Sequence, residues 1–226
     1  VRTTIVPQPY PPAIFGIGRN YADHAAEMRG ELPDRPLVFM KNPASVLENG
    51  EPIVIPPVCR EPEQVDYEGE LAVILERDCR DASEADGLAS IGWYAVANDV
   101  SARWWQREGA GGQFVRGKSF DGFCPLSERV PARQISDPQD LRIVTTLNGE
   151  VMQDASTSEM IFPAAHLVAE LSAGMTLLAG TVILTGTPAG VGTARQPPRF
   201  LRDGDVIEIS ITGLGTLRNP VIAERA

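Results

Sequence analysis

At 226 residues the chain has room for one domain with an ample core, and its 43% hydrophobic and 22% charged residues are ordinary for a globular protein. A net charge of −10 argues against a nucleic-acid or anionic-membrane surface, yet a locally cationic pocket can still take an acidic substrate. Cys59, Cys79 and Cys124 form neither a disulfide framework nor a metal spacing, the apolar runs are too short to span a bilayer, and no signal peptide is visible, so the expectation is a cytoplasmic protein.

In chain order, the Pro-rich and β-branched residues 1–13 predict an extended arm on a single domain spanning 1–226. Residues 13–18 predict a short strand running into Gly16 and Gly18. This G-x-G lacks the third glycine of a dinucleotide fingerprint, because Tyr21 stands there. Residues 19–28 have helix propensity, which sets His24 and Glu27 on one face at i and i+3. That spacing fits either a surface pair or a histidine oriented by a carboxylate to take a proton from water. His166, in an amphipathic helix over 163–173, reads as structural. The breaker-rich stretch 29–36 predicts a mobile loop, and Leu37–Met40 a strand ending at Lys41, which is either a solvated strand end or a substrate contact.

A strand over 53–55 precedes the stretch that concentrates the chemistry, Val65-Asp66-Tyr67-Glu68-Gly69-Glu70-Leu71-Ala72-Val73-Ile74-Leu75. Its apolar second half predicts a buried strand. Strand alternation puts Glu68 and Glu70 on one face, about 7 Å apart along the chain, and Gly69 leaves the other face open to close packing. Residues 86–91 turn into a second apolar strand that ends at a third acid, Asp99. Three carboxylates at strand ends suit a hard dication, Mg²⁺ or Mn²⁺, with positions left for water or substrate. A short helix over 101–108 follows, with Arg103 and Gln106 on one face; Arg103 is a natural carboxylate grip.

Residues 112–119 match G-x-x-x-x-G-K-[ST] letter for letter. A phosphate loop must follow a buried strand and open a helix, and neither context is present, so the nucleotide reading is rejected. Lys118 is then free to serve a pocket, where a neighbouring dication would lower its pKa. Further on, Asn148-Gly149 predicts a type I′ hairpin, 181–184 a strand opening into the Gly-rich loop 185–192, and 206–211 a strand paired through a turn with the segment up to Asn219. Thr187 and the loop amides can bind a carboxylate or make a plain tight connection. Many short strands and few helices predict a strand-dominated α+β fold with a rolled or sandwiched sheet.

Five stretches in this order, Gly18-Arg19-Asn20-Tyr21-Ala22-Asp23-His24, Asp66-Tyr67-Glu68-Gly69-Glu70-Leu71, Asn98-Asp99-Val100-Ser101-Ala102-Arg103, Gly117-Lys118-Ser119-Phe120-Asp121 and Thr185-Gly186-Thr187-Pro188-Ala189-Gly190, resemble the fumarylacetoacetate hydrolase family, in particular its short acylpyruvate and fumarylpyruvate hydrolases. The resemblance runs from about Ile14 to Pro220. It implies a mixed β-sandwich roll of the family's C-terminal domain type, usually a homodimer. It implies Glu68, Glu70 and Asp99 as ligands of Mg²⁺ or Mn²⁺, His24 and Glu27 as a water-activating pair on a lid helix, and Lys118 as a further catalytic group. Arg19, Lys41, Arg103, Gln106 and Thr187 fall around the substrate, a small 2-oxo acid. One departure is the pair Trp104-Trp105 directly after Arg103. The implied reaction is hydrolysis of the C3–C4 bond of a 2,4-dioxo acid to pyruvate and a carboxylic acid. The alternative is decarboxylation of a 2-oxo acid such as oxaloacetate, or an isomerase or decarboxylase of aromatic-acid degradation; an inactive metal-binding scaffold and a nucleotide binder through 112–119 are more distant.

Overall fold

The computed structural model describes residues 10–28 and 32–225. Most of the expected arm and the start of the expected loop over 29–36 therefore lie outside the described residues.

Alternating burial and turn residues divide the chain into short strands. The first part contains β1 (Ile14–Gly18), helix α1 (Ala22–Glu27), β2 (Leu37–Lys41), β3 (Val46–Glu48), β4 (Ile53–Ile55), β5 (Val65–Asp66) and β6 (Gly69–Leu75). Then come α2 (Glu84–Ser90), β7 (Ile91–Asn98), β8 (Ser101–Ala102), α3 (Arg103–Gln106), α4 (Phe114–Lys118), β9 (Cys124–Leu126) and β10 (Val130–Pro131). The last part holds β11 (Arg142–Leu147), β12 (Glu150–Ser156), α5 (Ala164–Ser172), β13 (Val182–Leu184), β14 (Val206–Ile211) and β15 (Gly215–Ala223). An eight-stranded sheet runs β2-β1-β13-β6-β7-β9-β3 with β10 beside β7, and a five-stranded sheet runs β12-β11-β14-β15-β4. This is the strand-dominated mixed architecture predicted from the sequence. No helix among the described residues is long and apolar enough to cross a membrane.

The segment 86–91 is a correction. Residues Glu84–Ser90 form α2, capped by the Ser83 hydroxyl, which accepts from the Asp86 amide. Gly87 inside it reads as a turn signal, but the residue is small for packing: a Cβ there would lie 3.1 Å from the Ala165 carbonyl oxygen and 3.2 Å from Val168. The Asn148-Gly149 hairpin is as predicted, with both residues at positive φ, 54° and 84°.

Every residue of β6 is buried. Leu71, Val73 and Leu75 pack with Tyr94 and Val96 of β7, Ile143 of β11, Ile209 and Ile211 of β14, and Leu167, Val168 and Leu171 of α5. Ala72 and Ile74 turn to the opposite face with Ile14, Ala95, Ala97, Val182 and Leu184. The alternation continues into the acidic stretch, so Gly69 faces the five-stranded sheet. A Cβ at Gly69 would lie 2.3 Å from Thr145 Oγ1 and 3.2 Å from both Gln153 Oε1 and Ile209 Cγ2. The close packing expected opposite the two glutamates is therefore supplied by β11, β12 and β14. Gly69→Ala is expected to destabilise the protein by about 1–3 kcal/mol through overpacking, measured by urea denaturation. Thr145→Ala in the same chain should recover part of the loss; a Gly69→Ala variant as stable as the parent would show that the sheets are not in rigid contact there.

Candidate active site

The backbone itself brings the three acids together. The Asp99 amide donates to the Glu68 carbonyl at 2.8 Å, and the Glu68 amide donates to Asn98 Oδ1 at 3.0 Å. Gly69 pairs with Asn98 and Glu70 with Ala97 across β6 and β7, so all three carboxylates emerge at one end of that pair. One oxygen from each of Glu68, Glu70 and Asp99 lies within 4.8 Å of the others, and all three residues are buried.

Burying like charges this close requires cations nearby. Lys118 Nζ lies 2.6 Å from Glu68 Oε2 and 2.6 Å from Asp99 Oδ2. Lys41 Nζ reaches Asp99 Oδ1 at 2.5 Å, and Arg103 Nη1 reaches Glu68 Oε1 at 2.7 Å. Among the described residues, no such ion pair reaches Glu70, whose Oε2 accepts the Gly186 amide at 2.7 Å. Three of these groups respond accordingly. Burial pushes Glu68 up, but Lys118, Arg103 and His24 outweigh it and hold its carboxyl below the ordinary range. Burial, then Asp99 and Glu68, push Glu70 well above its ordinary value. Burial pulls Lys118 down, but Asp99 and Glu68 outweigh it and hold the ammonium above its ordinary value. Without a dication, the protein's own carboxylates thus hold Lys118 in its charged form.

Lys118 owes its place to the α4 segment inside the phosphate-loop look-alike. The helix begins within the motif at Phe114, residues 107–112 form turns, and 119–123 form no helix. A Cβ at Gly117 would lie 2.5 Å from the Gln106 amide nitrogen, so glycine here serves the close packing of α4 on α3. The Lys118 ammonium also sits 4.8 Å from the centre of the Phe39 ring.

His24 and Glu27 are joined as the helical spacing predicts. His24 Nδ1 lies 2.7 Å from Glu27 Oε1, and His24 is 6% exposed. Glu27 Oε2 accepts the Gly190 amide at 3.0 Å. A carboxylate on Nδ1 fixes the tautomer, with Nδ1 as donor and Nε2 as proton acceptor. His166 pairs with Glu84 at 2.9 Å and stacks on Phe162, away from this cluster.

The expected substrate contacts take different places. Arg19 is exposed at φ 56°, outside the buried cluster. Lys41 is buried against Asp99 and is not a solvated strand end. The Arg103 guanidinium is committed to protein carboxylates: Nε donates to Asp66 Oδ2 at 2.8 Å while Nη1 holds Glu68 and Gln106 Oε1. Gln106 therefore orients Arg103. The Thr187 hydroxyl donates to the Gly69 carbonyl at 2.9 Å and accepts from Gln153 at 2.7 Å. The carboxylates that Arg103 grips are the protein's own, Asp66 and Glu68, a choice of partner that sequence does not specify. The residue most plainly missed is Asp66. It is fully buried and accepts from the amides of Tyr67, Gly192 and Thr193 as well as from Arg103.

Three buried hard oxygen donors, one of them without a lysine or arginine of its own, form a set that a hard dication satisfies. Glu68, Glu70 and Asp99 would hold it.

The family model for the fumarylacetoacetate (FAA) hydrolase C-terminal domain matches residues 13–222. A mitochondrial oxaloacetate tautomerase of Xenopus laevis is 41% identical over 219 residues, covering 96% of this chain and 68% of that protein. A human mitochondrial oxaloacetate tautomerase is 38% identical over 221 residues, covering 97% of this chain and 69% of its own. Among solved structures, 5-carboxymethyl-2-hydroxymuconate delta-isomerase from Mycobacterium smegmatis superposes with a TM-score of 0.83 at 39% identity, over 96% of this chain and 81% of that one. A fumarylacetoacetate hydrolase from Exiguobacterium antarcticum gives 0.84 at 42% identity, over 95% and 76%.

The raised Glu70 pKa makes a testable statement about stability. A folded-state pKa above the ordinary 4.5 means that the contribution of this group is fully present below 4.5 and is lost as pH rises through the elevated value. In chelator, Glu70→Gln is therefore expected to melt about 2–6 °C above the parent at pH 8, with the gap narrowing toward pH 5. Added Mg²⁺ or Mn²⁺ should raise the melting temperature of the parent and leave the variant unchanged. A variant less stable than the parent at pH 8 in chelator would remove the electrostatic account of Glu70.

Proposed function

The chain belongs to the fumarylacetoacetate hydrolase family, and from that premise we propose that it is an Mg²⁺- or Mn²⁺-dependent enzyme that moves a proton on a small 2-oxo acid, as a keto–enol tautomerase or isomerase of oxaloacetate type. The observation that carries this reading is the convergence of a buried carboxylate triad with one imidazole whose tautomer is fixed. The similarity to proteins named as oxaloacetate tautomerases and as a muconate isomerase supports it over the C3–C4 hydrolysis expected from the sequence.

The dication supplies Lewis-acid stabilisation of an enolate oxygen when bound. Every other part comes from the chain. Glu27 holds the Nδ1 proton of His24, so Nε2 takes the C3 proton of the keto form and delivers it to the C2 oxygen, and the reverse transfer from that oxygen to C3 returns the enol to the keto form. Lys118, Lys41 and Arg103 keep Glu68 and Asp99 ionised and ready as ligands. Four buried carboxylates, Asp66, Glu68, Glu70 and Asp99, face three buried cations, Lys41, Lys118 and Arg103. With a dication bound and all four carboxylates ionised, the cluster would carry one net positive charge, which favours an anionic substrate despite the acidic balance of the chain. Burial of the whole cluster limits water access and strengthens each of these interactions.

A second reading keeps the same parts. With water beside Nε2, the dyad would drive the hydrolysis of an acylpyruvate, a reading supported by the 42% identity to the Exiguobacterium hydrolase. Decarboxylation of oxaloacetate would need no attacking water. The test follows the ultraviolet absorbance of enol-oxaloacetate and, in parallel, the pyruvate released from oxaloacetate and from acetylpyruvate, in chelator and with Mg²⁺ or Mn²⁺. Metal-dependent loss of the enol with no pyruvate, lowered on the order of 10²–10⁴-fold by His24→Asn, is the expected result. Pyruvate from acetylpyruvate would establish the hydrolase, pyruvate from oxaloacetate the decarboxylase, and no turnover of any of them would reject the substrate class.

A further inference from the structure

Gly69 stands between two of the three carboxylates, and its peptide groups are held by side chains instead of a strand. On one side the neighbour is β7, where the Glu68 amide donates to the Asn98 side-chain oxygen and the Glu68 carbonyl accepts the Asp99 amide. On the other side β13 pairs with β6 from Ala72 to Ile74, and toward Gly69 the last backbone bond runs from the Thr185 amide to the Leu71 carbonyl at 3.1 Å. The Gly69 amide and carbonyl face that gap. Gln153 Oε1 accepts the Gly69 amide at 3.0 Å, Gln153 Nε2 donates to Thr187 Oγ1 at 2.7 Å, and the Thr187 hydroxyl donates to the Gly69 carbonyl at 2.9 Å. The three bonds close a ring. The second hydrogen of Gln153 Nε2 goes to the Pro188 carbonyl at 2.8 Å. With an N–H before its oxygen and two acceptors before its nitrogen, this amide has one possible orientation.

Gln153 reaches the ring because β12 carries a bulge. Thr145 pairs with Gln153 but Thr146 pairs with Val151, so Met152 is extra. Consecutive residues Met152 and Gln153 are both buried in a strand whose other residues are exposed or half-buried, the break in alternation that a bulge makes. The bulge turns a polar side chain of the five-stranded sheet inward, at 1% exposure, against Gly69, whose two peptide groups link it to Glu68 and to Glu70.

We propose that Gln153, acting with Thr187, is a positioning residue for the metal centre: its side-chain amide replaces the missing strand neighbour of Gly69 and fixes the relative direction of the Glu68 and Glu70 carboxylates. This inference rests on the reading that the triad binds a divalent cation, and the experiment separates the two. Binding of Mn²⁺ alone is measured from the electron paramagnetic resonance of the free ion, for the parent, Gln153→Met, Thr187→Val, Thr187→Ser and the Gln153→Met/Thr187→Val double variant. Near-ultraviolet circular dichroism and thermal unfolding in chelator establish which of them are folded.

The Gln153→Met side chain keeps the length and loses all three hydrogen bonds, so the dissociation constant is expected to rise about 10–100-fold in a folded protein. Thr187→Val should lose a similar factor, and Thr187→Ser, which retains the hydroxyl, should bind as the parent does. The double variant should be no weaker than the weaker single, because a ring broken once has nothing further to lose. Parental affinity in folded Gln153→Met, or losses that multiply in the double variant, would overturn the proposal. If Gln153→Met does not fold, the Thr187 pair decides: loss in valine with recovery in serine supports the ring, and parental affinity in Thr187→Val overturns it. A parent that binds no Mn²⁺ would remove the metal reading itself, and the role of Gln153 with it.

Discussion

The structure depends on one hydrogen bond between main chains, from the Asp99 amide to the Glu68 carbonyl. It fixes the register at which β6 and β7 end and so forces carboxylates thirty residues apart in sequence into one buried volume. Concentrating anions in this way is unfavourable in the absence of counter-charge, because each charge loses its water and feels the others at low dielectric. The remaining features of the site offset that cost. Two lysines and an arginine arrive from β2, α4 and α3, and amides from the 185–192 loop cover carboxylates that side-chain cations leave open. What is left over is Glu70, whose raised pKa marks where the protein's own positive charge ends.

Seen this way, five buried residues that the resemblance placed at the site beside the acids and His24 belong to two groups. Lys41, Lys118 and Arg103 are counter-ions of the acids, and Gln106 and Thr187 hold other side chains or backbone in place. The arrangement is layered. Asp66 holds Arg103, Arg103 holds Glu68, and Asp66 is itself held by three backbone amides. Each layer restricts the freedom of the one inside it, which is how a protein positions groups more tightly than any single bond would.

The legibility of these features in the sequence follows from their range. The triad could be read because strand alternation is local: Glu68 and Glu70 share a face by spacing alone, and Asp99 ends an apolar run. The His24–Glu27 pair was legible for the same reason, through the helical i, i+3 relation. The Asn148-Gly149 turn carries its conformation in its two residues. Asp66 and Gln153 were not legible, because their roles come from contacts 34 to 127 residues away in sequence and, for Gln153, from a bulge that breaks the period of two. The α2 helix was hidden by Gly87, whose reason for being glycine lies in the helix packed against it. Cations pose a different limit. A lysine at a strand end is the same letter whether it meets solvent, a substrate or an aspartate.

Glu27 spends its two oxygens on different elements, one on the imidazole of its own helix and one on the Gly190 amide across the site. The tautomer of His24 and the seating of α1 on the 185–190 loop are therefore not independent variables. A helix displaced from that loop would leave Glu27 free to turn away, and the proton on the ring would no longer have an assigned nitrogen. The position of the ring proton thus depends on two contacts being made at once, in the manner of a coincidence detector. The chain ties its reactivity to its own assembly, so that the imidazole acquires a defined role only in the arrangement in which the acids, the loop and the helix already stand together.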